Sequence, residues 1–273
     1  MKRNLIIASI FLAATVTTLM AGNEATTYIN GKYEGETKDG MRNGQGRAIY
    51  YDGSMYMGEW KADKRNGVGR AVFKDGSSYY GDWKDDKREG RGVYEFPNGD
   101  KYTGQFKDDQ LQGYGTYQFA NGDKYVGDVA IGSANGKGTM FYKNGDRYEG
   151  AFAMGKKEGK GKYFYRSGNT FEGTFAADKK AGFGQMNFAN GDVYLGEFND
   201  NNRTGKGVFV WANGDKYEGE FVNGNMNGFG TFTWADGEKY TGTWTNNNRD
   251  GKGTFVSKSG EEQILSFANG VKQ

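Results

Sequence analysis

The sequence contains no cysteine, no histidine and a single proline in 273 residues. Without cysteine there are no disulfides, no thiol nucleophile and no cysteine-ligated zinc. Without histidine there is no triad that uses imidazole as its base. The lack of cysteine is compatible with an oxidising compartment but does not require one. Long apolar runs are also missing outside the first 20 residues, so a thick aliphatic core cannot form. Lys+Arg number 36 and Asp+Glu 34, so neither sign of charge dominates. A nucleic-acid binder needs a basic surplus, and that class of partner is set aside.

Glycine and aromatics take the place of what is missing. There are 47 glycines, and Phe, Trp and Tyr make up 16% of the chain. The glycines have no three-residue period and proline is nearly absent, which excludes collagen. So many rings argue against disorder.

The first residues read as a targeting segment. Lys2 and Arg3 are followed by an apolar stretch from Leu5 to Met20, then by the small residues Ala21 and Gly22. This is the order of a secretory signal peptide, assigned to residues 1–21, with cleavage after Ala21. The chain is therefore expected to be exported, to a periplasmic or extracellular location at the cell envelope. The runner-up is an uncleaved membrane anchor, because the 16-residue apolar run approaches the length of a span. No cysteine follows, so a lipoprotein anchor is excluded. Removal of residues 1–21 takes away Lys2 and Arg3 and leaves 34 charges of each sign.

The rest of the chain is a repeat. Tyr or Phe stands at 33, 56, 79, 102, 125, 148, 171, 194, 217 and 240, each step being 23 residues. Counting that ring as position one, glycine fills positions three, 12, 14 and 21 in all ten copies. Those four columns hold 40 of the 47 glycines. Position five is Trp or Phe except at Thr37 and Val129. Position 18 is aromatic except at Ser257. The stretch "YMGEWKADKRNGVGRAVFKDG", Tyr56 to Gly76, and its neighbours resemble MORN repeats, the membrane occupation and recognition nexus. The resemblance covers about residues 28–270. It implies a curled β-ribbon used for protein contact and attachment near membranes.

The residues lead to a similar shape on their own. Positions one, three and five alternate large, Gly, large, which is the two-residue period of a strand. Positions 14, 16 and 18 repeat the alternation, as in Gly230, Phe232 and Trp234. Each repeat is thus two strands. Asn-Gly or Asp-Gly before the next repeat, as in Asn98-Gly99, predicts a two-residue type I′ hairpin. Positions six to eleven, such as Lys61 to Asn66, predict a longer polar loop. The expected fold is all-β: an elongated single-layer antiparallel ribbon of ten hairpin repeats, curled so that its aromatic face packs on itself. Its strands, at ~4.8 Å each, extend it roughly 90–100 Å. Residues 22–32 form an N-terminal cap, 33–262 the ten repeats, and 263–273 a half-repeat cap with Leu265 where glycine is expected.

Three sets of side chains are candidates for function. A basic column at position ten holds Arg42, Arg65, Arg88, Lys157, Lys180, Arg203 and Arg249. Placed in the longer loop, it lines one edge of the ribbon, either simply solvated or facing an anionic lipid or polymer. Rings at positions opposite the main aromatic column are Tyr80, Tyr114, Phe141, Phe164, Phe183 and Phe229. Large apolar residues facing water mark a protein contact, unless loops or neighbouring repeats cover them. Acidic columns stand at position four (Glu36, Glu59, Asp82, Asp128, Glu197, Glu220) and position 22 (Asp100, Asp123, Asp146, Asp192, Asp215). They read as solvated strand faces paired with Lys101, Lys124, Arg147, Lys216 and Lys239. One carboxylate per turn is too few for calcium. The G-x-G pairs open no helix and lack the P-loop lysine, so phosphate loops are not expected. No catalytic residue, metal site or cofactor is assigned. The function expected is a non-catalytic exported scaffold that binds a protein, an anionic membrane or a polymer. The alternative is a secreted hydrolase of polysaccharide or peptide that works through its carboxylates.

Overall fold

A computed structural model describes residues 26–28 and 30–273, so the targeting segment assigned to residues 1–21 lies outside the described residues. Within them the chain is one 23-stranded antiparallel sheet and no residue is helical. Each strand pairs with the strand before it and the strand after it in the chain. A repeat is a seven-residue strand followed by a nine-residue strand, as in Arg147–Ala153 and Lys156–Phe164.

Glycine sets the shape. Within a repeat Gly150 faces Gly161, and across the boundary it faces Gly138. The same pairing continues along the array, so glycines of positions three and 14 form one unbroken row across the strands. The position-one ring lies over that row. A Cβ on Gly161 would sit 2.4 Å from the hydroxyl of Tyr148 and 2.5 Å from its ring. Only a residue without a side chain leaves space for the ring. In every tyrosine copy but Tyr240 the hydroxyl then donates to the backbone of position four, as Tyr148 does to Ala151 O at 2.9 Å and Tyr79 to Asp82 O at 2.9 Å, whereas Tyr240 Oη is buried with no partner among the described residues. Phe171 lacks this bond and is still fully buried.

Position-five rings wedge edge-on between consecutive position-one rings. Trp83 meets Tyr56 at 5.3 Å and Tyr79 at 5.1 Å, and Phe175 meets Tyr148 at 4.9 Å and Phe171 at 5.3 Å. Edge-to-face contact suits the ring quadrupole and adds about 0.5–1.5 kcal/mol per pair beyond area burial. Position five lacks a ring in two repeats: Thr37 leaves the first without its wedge, and Val129 breaks the ladder inside the array.

The sheet is also folded across the glycine row. Lys157 Nζ donates to Tyr142 Oη at 3.1 Å, and Lys180 Nζ to Tyr165 Oη at 3.2 Å. These partners occupy position ten and position 18 of the preceding repeat, at opposite ends of the strands. On a flat sheet eight residues separate those levels, roughly 26 Å. Two extended side chains cannot span that distance, so the strands bend and the two arms enclose a groove. This is the self-packed aromatic face expected from the alternation of rings and glycine.

The turns are exchanged relative to expectation. The two-residue turn with both φ positive is at positions seven and eight, where Asp108 (+47°) and Asp109 (+69°) are bracketed by the pair Lys107 and Gln110. That is the type I′ pattern, and Asp and Asn tolerate it best among side-chain-bearing residues. At Asn-Gly only the glycine is left-handed, Gly99 at +87°. Gly99 N–H bonds Phe96 O at 3.0 Å and Phe96 N–H bonds Asp100 O at 2.8 Å, a longer hairpin loop ending in a glycine bulge. Both ends are short half-units. Thr26–Tyr28 pairs with Gly31 to Tyr33, and Val271–Lys272 closes the other edge.

Candidate functional site

The basic column is not an outer edge. Strand two begins at position nine, directly after the tight turn, so position ten is a strand residue whose side chain points into the groove. The Arg42 guanidinium lies 4.1 Å over Trp60, that of Arg65 4.2 Å over Trp83, and that of Arg249 4.1 Å over Phe267. Each cation covers the position-five ring of the next repeat, a cation–π contact. Arg42, Arg65 and Arg88 also pair through Nε with Asp63, Asp86 and Asp109 at 3.2, 3.1 and 3.0 Å. Lys157 pairs with Asp178 at 3.7 Å. Burial lowers the pKa of Lys157 and of Lys180, and at Lys180 the Arg203 charge adds to the effect.

These carboxylates at position eight went unnoticed in the sequence, although the signal was there. Asp63, Asp86, Asp109 and Asp178 each stand 21 residues after a position-ten cation. Each also accepts that cation's backbone N–H, as Asp86 Oδ1 does from Arg65 at 2.9 Å. One side chain thus ties consecutive repeats together twice.

The acidic columns serve the backbone as well, and do not pair as expected with the position-23 cations. Lys101 forms an ion pair with Glu95 at 3.1 Å, Arg147 with Glu149 at 3.0 Å and Lys216 with Glu218 at 3.2 Å. Position-four carboxylates fill the bulge made by position-12 glycine. Asp82 accepts Arg91 N–H at 2.8 Å and Asp128 accepts Lys137 N–H at 2.9 Å. Position-22 aspartates reach the next repeat, where Asp100 accepts Ala120 N–H at 2.7 Å and Asp215 accepts Ala235 N–H at 2.8 Å. Among the described residues no group of three acidic side chains is placed to hold a metal ion.

The rings on the opposite face are exposed. Tyr80, Tyr114, Phe183 and Phe229 are 57–60% accessible, and Phe141 is exposed to a lesser degree. Phe164 departs from the set, half-buried beneath the Arg147 guanidinium at 4.2 Å. Tyr80 and Tyr114 share one shallow depression with Val68 and Val93, floored by the backbone of Gly81, Gly92 and Gly104.

The family model for the MORN repeat matches this chain ten times in succession, at residues 33–55, 56–78, 79–101, 102–124, 125–147, 148–170, 171–193, 194–216, 217–239 and 240–262. A search among curated proteins finds no match. Solved structures with some likeness include the TCP10 domain of Danio rerio CPAP in complex with a peptide of Danio rerio STIL. It is 10% identical, covers 86% of this chain and 99% of that chain, and has a TM-score of 0.43. Another is the SAS-4 (dCPAP) TCP domain of Drosophila melanogaster with a proline-rich motif of Ana2. It is 15% identical, covers 57% of this chain and 87% of that chain, and scores 0.37. Both scores are too low to imply a shared fold.

Proposed function

The chain belongs to the MORN repeat family, and on that premise we propose a non-catalytic scaffold that holds a protein partner along its ribbon. The observation that carries this reading is the outer strip of Tyr80, Tyr114, Phe183 and Phe229, each more than half exposed. Rings of this size facing water on a rigid strand are the usual anchors of a protein contact. The carboxylate columns are engaged as backbone acceptors, which favours a scaffold over a hydrolase. An anionic membrane is the weaker partner, because the position-ten cations face the groove and a flat bilayer meets the outer face first.

Immobilised protein is expected to retain a partner from its native envelope fraction, identified by mass spectrometry. A Tyr80→Ser, Tyr114→Ser, Phe183→Ser variant should lose it while keeping its melting temperature. Equal capture by the variant would contradict an outer-face site. Export is part of the same proposal, since Lys2, Arg3 and the apolar stretch after them read as a signal. The mature protein should run about 2 kDa below its precursor, and full-length protein in the membrane fraction would contradict cleavage.

A further inference from the structure

The position-ten cations fall into two groups. Arg42, Arg65, Arg88 and Lys157 each face a position-eight carboxylate of the next repeat. The last three do not. Opposite Lys180 stands Asn201, whose Oδ1 accepts the Lys180 backbone N–H at 2.9 Å. Opposite Arg203 stands Gly224, whose carbonyl accepts from Nη2 at 2.6 Å. Opposite Arg249 stands Gly270, bonded only backbone to backbone. Among the described residues none of the three makes an ion pair, and all three are half-buried among rings. Lys180 lies 5.6 Å from Phe198, and Arg203 5.1 Å from Phe209. Charge balance is therefore local. The first half of the groove is neutralised and the second half is left cationic, although the chain as a whole is close to neutral.

Half-buried cations without counter-charges are costly unless something supplies the missing charge. The geometry points to a second binding site on the inner face, in which Lys180, Arg203 and Arg249 receive an extended acidic peptide segment. It goes beyond the outer-strip reading and does not depend on it. One repeat advances ~10 Å along the ribbon, and three residues of a polyproline II segment, at ~3.1 Å each, cover nearly the same distance with every third side chain on one face. Carboxylates at every third residue would meet Lys180 and Arg203 in succession, and skipping Met226 would bring a later one to Arg249. Apolar residues between them would rest on Phe188, Trp211 and Trp234, which are only half-buried. A bilayer cannot enter between the arms, whereas a single strand would displace the bond from Lys180 Nζ to Tyr165 Oη and lie along the cations.

The repeats supply their own test. Asn201→Asp and Gly224→Asp install the carboxylates that repeats two to four already carry at position eight. Gly224 is left-handed at +86°, near the +67° to +72° of aspartates at that position. A Cβ there meets only Arg203 Nη2, at 3.8 Å, so the new side chain faces the cation. The probe is a fluorescein-labelled peptide of Glu-Val-Thr repeats, read by anisotropy at low salt. Wild-type protein should bind it, and the double variant should bind at least about tenfold more weakly with an unchanged or raised melting temperature. Should the double variant misfold, Lys180→Gln with Arg203→Gln carries the same expectation. Replacing glutamate by lysine in the peptide should also remove binding. Equal affinity for wild type and a folded variant would overturn the site, as would no binding by wild type. Binding of polygalacturonate with the peptide ignored would overturn the peptide in favour of an acidic polysaccharide.

Discussion

Gly150→Val lowers stability by about 4 kcal/mol or more, in the range reserved for severe core defects. Gly150 is not left-handed, so the cost is not backbone strain. It is collision. A Cβ there would stand 2.4 Å from the Tyr148 hydroxyl and 2.6 Å from Gly161 Cα. The ring cannot retreat, because Phe152 and Phe175 hold it edge-on from two sides. The facing backbone cannot retreat without breaking the ladder to the next repeat. Lys137→Val is the control. Its side chain is exposed on the outer face, one residue from the glycine row, and the change should stay within about 0.5 kcal/mol. Denaturant midpoints of the two variants check this, and equal midpoints would mean that the faces are reversed.

Alkaline pH unfolds the protein. Burial raises Tyr102, Tyr148, Tyr194 and Tyr217 from 10.0 to about 12, and raises Tyr56, Tyr79 and Tyr125 further. Between those values the unfolded chain loses phenolic protons that the folded chain keeps. Stability is complete below pH 10 and falls as the pH rises through the folded values. Each such tyrosine removes about 1.4 kcal/mol per pH unit in that window, so the four together remove between about 5 and 6 kcal/mol for each pH unit. Since a domain holds only about 5–15 kcal/mol, the array should unfold before pH 12. Strand signal in circular dichroism should vanish together with the rise in tyrosinate absorbance. Complete tyrosinate formation near pH 10 with the strand signal intact would contradict burial of the ring column.

What was legible in the sequence follows from local rules. Ring, glycine, ring at alternate positions states both the strand and its inner face, and the 23-residue period states how the strands are ordered. The turns were misread because the local signals conflict. Asn98-Gly99 carries the usual two-residue signal, yet only Gly99 is left-handed. The true two-residue turns include Ala62, Ile131, Met154 and Ala177 with positive φ, which no propensity suggests. The register of the ladder imposes those conformations. Sequence alone puts the basic column at an edge of the ribbon, solvated or facing an anionic surface; folding across the glycine row instead brings position ten against the rings, and that is a tertiary event. Its partners could have been found by noting Asp63 after Arg42 and Asp86 after Arg65 at the same interval.

The central claim is that the sheet is folded across its glycine row, so that its two ends enclose an aromatic groove. Because the chain has no cysteine, the pair Tyr165→Cys and Lys180→Cys can be crosslinked without background. Those positions touch in the folded ribbon, where Lys180 Nζ reaches Tyr165 Oη at 3.2 Å. On a flat sheet they would stand roughly 26 Å apart along the strands. A short bifunctional maleimide should join them within one molecule in high yield, as read by peptide mass spectrometry. If both cysteines react with a simple maleimide but are never joined to each other, the ribbon is flat and the groove does not exist.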